Sequence, residues 1–116
     1  MSMSNASWKE FERRVARDLG GQRRGADTGG VRGGKTDIIH PFFGVECKLL
    51  GRVGLADILN ACVQAELNSE PHQIPIAVVK KKHGRMDDCV VAMRYNVWRE
   101  WYGPALDEKQ DEDANE

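Results

Sequence analysis

Trp8, Phe11, Val15 and Leu19 recur at three- and four-residue intervals, the stripe that an amphipathic helix turns toward a core. Ser7-Trp8-Lys9-Glu10 has the form of a capping box, so the helix is predicted to open there, and Gly20-Gly21 closes it. Residues 20–35, GGQRRGADTGGVRGGK, hold seven glycines and four basic residues and read as loop, with room for a short strand over Gln22–Arg24. Two strand-like runs follow, Thr36–His40 and Gly44–Leu50, joined by Pro41-Phe42-Phe43.

After the break at Gly51–Gly54, residues 55–68 (LADILNACVQAELN) place Leu55, Ile58, Leu59, Cys62 and Val63 on one helical face. Ile74–Lys80 is a β-branched run typical of a buried strand. A basic turn over Lys80–Arg85 leads to a returning strand, Asp88–Arg94. Asn96 is placed to cap a last short helix through Tyr102, stopped by Gly103-Pro104. The pattern therefore predicts one α/β domain over residues 1–104, a central mixed β-sheet flanked by helices in the order α-β-β-β-α-β-β-α. Residues 105–116 are expected to be a disordered acidic tail.

Charge changes the picture less than its distribution does. The net charge is −1, but the last ten residues, DEKQDEDANE, hold six acids and one lysine. Without them the chain carries 16 basic against 12 acidic residues, a modestly basic body. No apolar run approaches the roughly 18 residues that span a bilayer, and the N-terminus lacks the basic and apolar regions of a signal peptide. Cys47, Cys62 and Cys89 form no CxxC pair, so neither a disulfide framework nor a zinc knuckle is indicated. They read as free thiols of an intracellular protein.

Candidate chemistry concentrates on the strand Gly44–Leu50. Alternation puts Val45, Cys47 and Leu49 on one face and Glu46 and Lys48 on the other. A hairpin symmetric about Pro41-Phe42 sets Asp37 opposite Glu46, and like charges so opposed need something to neutralise them. On a helical wheel at about 100° per residue, Glu12 falls inside the apolar arc while Arg13, Arg14 and Arg17 point away. A carboxylate on a buried face needs a partner or a metal.

Gly29–Thr36 also satisfies G-x-x-x-x-G-K-[ST], the phosphate-cradling pattern. That loop needs a buried strand before it and a helix after it. Here GQRRGADT precedes and DIIHPFFG follows, so an arginine-bearing loop along a nucleic-acid backbone is the better reading. His40, His72 and His83 lack metal-ligand spacing and are assigned surface or turn roles. Trp98, Trp101 and Tyr102 are expected to pack a terminal helix.

Glu12 and Arg13 on the first helix, then Asp37, then Glu46-Cys47-Lys48, together resemble the PD-(D/E)XK, or restriction-endonuclease-like, nuclease superfamily. Within it the pattern is most similar to the archaeal-type and phage Holliday junction resolvases, over roughly residues 8–94, with Thr36 standing where the superfamily label has proline. The resemblance implies a restriction-endonuclease-like core and a magnesium-dependent endodeoxyribonuclease, with manganese as a substitute metal. Asp37, Glu46 and the main-chain carbonyl of Cys47 would be metal ligands, with Lys48 catalytic and Glu12 assisting at or near the metal. It further implies a homodimer cutting four-way DNA junctions in recombination and repair. A related nuclease for duplex, flap or single-stranded DNA and a non-catalytic DNA-binding module remain alternatives. Arg13, Arg23, Arg24, Arg32, Lys35 and Arg52 are candidate DNA contacts, and Gln64 either matches a glutamine of some relatives or is a surface residue.

Overall fold

Burial sorts the first helix as its wheel requires except at Trp8, which stays 39% exposed. In a computed structural model that describes residues 3–25 and 35–114, α1 (Met3–Leu19) buries Phe11, Glu12, Val15 and Ala16 and leaves Arg13, Arg14 and Arg17 in water. The helix is already running at Met3, so Ser7 lies within it rather than capping it. A capping-box sequence permits a start but does not forbid good helix formers upstream, such as Met3 and Ala6, from joining.

Among the described residues the sheet has five strands in the spatial order β1 (Gln22–Arg23), β2 (Ile38–Ile39), β3 (Phe43–Leu50), β4 (Ile74–Lys81) and β5 (Val90–Ala92). β1–β2, β2–β3 and β4–β5 pair antiparallel, and β3 pairs parallel with β4, which makes the sheet mixed. Parallel pairing needs a crossover, supplied by α2 (Leu55–Asn68). A short 3-10 turn, Met86–Asp88, occupies the start of the predicted returning strand.

One face of the sheet meets α1, where Val45, Cys47, Ile76 and Val78 pack on Phe11 and Val15. The other meets α2, where Ala77 and Val79 pack on Ala61 and Cys62. The inward side of α2 is thus made of small residues, Ala61, Cys62 and Ala65, while Leu55 is 72% exposed and Leu59 and Val63 are also exposed. Against the expected apolar face, the helix is turned by roughly a quarter revolution. The close approach of helix to sheet explains it. A Cβ on Gly44 would stand 1.6 Å from the Ser69 hydroxyl oxygen, a spacing that admits only small groups between the layers.

His40 ties α1 to the β2–β3 turn. Its Nε2 donates to the Leu19 carbonyl (2.9 Å), while Nδ1 accepts the amides of Phe42 (3.0 Å) and Phe43 (3.2 Å).

The last helix, α3, spans Tyr95–Ala114, so it neither stops at Gly103-Pro104 nor leaves residues 105–114 as coil. Proline removes one main-chain donor and crowds the turn before it. Arg99 bridges that weak point, lying against Gly103 and reaching Asp107 (2.9 Å), and the residues beyond are mostly favourable helix formers.

Candidate active site

The register of the hairpin fixes the centre. Ile38 pairs with Val45, and one position further on Asp37 falls beside Glu46, as symmetry about Pro41-Phe42 requires. Asp37 is held from three sides. Its amide donates to the Val45 carbonyl (3.0 Å), its carbonyl accepts the Arg24 amide (2.8 Å), and its carboxylate Oδ2 accepts the Cys47 amide (2.8 Å).

Glu46 stands on the α2 side of β3 and is only 5% exposed. Its Oε1 accepts a hydrogen bond from Asn68 Nδ2 (3.1 Å) at the end of α2. Burial pushes its carboxyl up to about 7, the neighbouring Asp37 charge adds to the rise, and the Asn68 hydrogen bond and Lys48 charge only partly oppose it. Lys48, half-buried, shares this face two positions along.

Glu12 is 2% exposed, and its Oε1 accepts from Arg23 Nε (2.7 Å). Burial raises this carboxyl above its ordinary range, Arg23 pulls it down, and Asp37 pushes it up again. Three carboxylates from α1, the approach to β2 and β3 therefore feel one another, with Lys48 beside Glu46. The Cys47 thiol points into the α1-side core and is pushed far up by burial, which removes it as a nucleophile.

The other candidates scatter. Arg23 is the internal partner of Glu12, with its guanidinium 5.9 Å from the Trp8 ring centroid, so a phosphate would have to compete with a buried carboxylate for it. Arg24 donates to the Thr36 carbonyl (2.7 Å), and Arg13 pairs with Glu10 (2.8 Å) at the surface. Lys35, Arg52 and Gln64 are exposed, and Arg32 lies outside the described residues, as does most of the glycine-rich loop. Sequence reasoning missed Asn68. Its only signal was its place on α2 two turns after Ala61, which no motif marks.

Among the described residues no three or more His, Cys, Asp or Glu side chains are grouped to hold a metal ion. The set implied by the resemblance is smaller, two carboxylates and the Cys47 carbonyl, and Glu12 is engaged by Arg23 rather than free as a ligand. The donors fit a hard divalent cation. They are oxygens, and burial and the Asp37 charge raise the Glu46 carboxyl more than Asn68 and Lys48 lower it, an imbalance that a cation would relieve. Fold and site together define a mixed α/β domain with a buried acidic cluster and an adjoining lysine. Comparison with protein-family models, curated proteins and solved structures found no match to this chain.

Proposed function

We propose that this domain is a magnesium-dependent endodeoxyribonuclease with a restriction-endonuclease-like core, structure-selective and acting on four-way DNA junctions. The observation that carries the reading is the convergence of Asp37 and Glu46, where burial and then the neighbouring Asp37 charge push the Glu46 carboxyl up to about 7, with Lys48 alongside. Such crowding destabilises a fold unless it serves a ligand, and perturbed carboxyls in one spot mark functional sites.

Asp37 and Glu46 would hold the cation, aided by the Cys47 carbonyl. A bound magnesium ion would supply charge neutralisation at the phosphate and a more acidic water. Asp37 is fixed by the Cys47 amide and Glu46 by Asn68, so neither carboxylate has to be ordered when substrate arrives. Lys48 directs its ammonium group to the attacking water or the departing charge. Glu12 and Arg23 form the rear wall, where the Arg23 guanidinium partly offsets the rise that burial and the nearby Asp37 charge impose on the Glu12 carboxyl.

The test incubates labelled four-way junction, linear duplex and single strand with the protein, with and without magnesium. Paired nicks near the branch, dependent on metal, are expected. Trimming of all three substrates would move the reading to an unselective nuclease, and band shifts without cleavage to a binding module. Asp37→Asn is expected to abolish cutting while junction binding stays equal or tightens, because it removes negative charge near the phosphates. Retained cleavage in that variant would overturn the assignment.

A further inference from the structure

Phe11, Val15 and Leu19 of the α1 stripe pack into the core, and Trp8 does not. It begins the same stripe, yet it stays exposed. Its neighbour is a cation: the Arg23 guanidinium lies over the indole, 5.9 Å from the ring centroid. That guanidinium is anchored, because its Nε donates to the buried Glu12 carboxylate (2.7 Å).

This chain of contacts leads to the acidic centre. Trp8 and Glu12 are one turn apart on the same flank of α1, about 6 Å along the axis. Glu12 in turn feels the Asp37 charge. The indole therefore stands at the margin of the site, joined to it through Arg23 and Glu12. Lys9, next to Trp8, is exposed and has no carboxylate partner among the described residues.

A flat ring with a fixed cation over it and an ammonium group beside it suits a nucleotide. The base offers its π face to the ring, and the attached phosphate meets the positive charge. In continuous duplex each base is stacked between its neighbours, so the contact requires a base that has left the stack. The ion pair to Glu12 orders Arg23 before DNA arrives, and little freedom is lost when the base settles.

We propose that Trp8, backed by Arg23, is a stacking platform for one unpaired base next to the phosphate that the acidic centre receives. It makes the protein select DNA with a splayed nucleotide over continuous duplex. Trp8 is then a specificity-determining residue: it touches the base and takes no part in the chemistry. The platform tolerates any sequence, because every base has a π face. The inference rests on reading the acidic centre as a DNA site, but it is measured by binding and not by cleavage.

The experiment follows the fluorescence anisotropy of labelled DNA, without metal, on the full chain carrying Asp37→Asn. The probes are a linear duplex, the same duplex with one unpaired thymine, and that second duplex with the unpaired nucleotide made abasic. The thymine probe is expected to bind about tenfold more tightly than the abasic one. Trp8→Leu, its fold checked by circular dichroism, is expected to erase that difference and to leave the paired and abasic probes nearly unchanged. Trp8→Phe should retain part of it, since a smaller ring still stacks. Equal affinity for thymine and abasic probes overturns the proposal without recourse to any change at Trp8. So does an equal loss on all three probes in Trp8→Leu, which would make Trp8 a backbone or folding residue. Cleavage by the unsubstituted protein alongside either result removes the platform and leaves the nuclease reading. A thymine-specific loss without cleavage does the reverse.

Discussion

Glu46 gives up nearly all its water when β3 is paired and covered by α2, and Asn68 and Lys48 return only part of that solvation. Its proton is therefore held in the folded, metal-free protein up to about pH 7, while an unfolded chain releases it near the ordinary value of 4.5. The folded state binds the extra proton, so this stability is fully present below pH 4.5 and is lost as pH rises through about 7. Sized by that difference, the loss is at most about 3 kcal/mol. Glu12 is raised too and contributes with the same sign. Urea denaturation in chelator between pH 4.5 and 8 is expected to show the decline, and Glu46→Gln to flatten it and raise stability at neutral pH. Asn68→Ala removes the hydrogen bond that orients Glu46. The expected cost is about ten- to a hundredfold in apparent magnesium affinity, measured from the metal dependence of cleavage with the fold unchanged.

The elements show where sequence was informative and where it was not. α2 begins at Leu55 and ends at Asn68, the bounds that LADILNACVQAELN gives, because breakers stand on both sides. Its rotation was illegible. A wheel weights the bulky Leu55, Leu59 and Val63, but the space over the sheet was already limited by Ser69 against Gly44. Gly44→Ala is expected to destabilise by about 1–3 kcal/mol, read from thermal or urea unfolding, and Ser69→Gly in the same chain to recover part of the loss. The site was legible to the extent that strand alternation and hairpin symmetry placed Asp37, Glu46 and Lys48. The wheel likewise placed Glu12 inside the apolar arc. The Arg23 ion pair was not legible, since a separation of eleven positions and a helix end decide whether those side chains meet. The end of α3 was missed for a related reason. Gly103-Pro104 is a local stop signal, and the Arg99–Asp107 bridge that carries the helix past it acts across two turns.

At the scale of the whole molecule, the sheet is broad in the middle and narrow at both margins. β3 and β4 have eight residues each, whereas the outermost strands, β1 and β5, have two and three. A margin that short exposes few unpaired main-chain groups, so another chain arriving as a strand finds almost nothing to register against. Growth of fibrils by pairing sheet edge to sheet edge is thereby discouraged, and Arg23 adds a charged residue to the β1 rim.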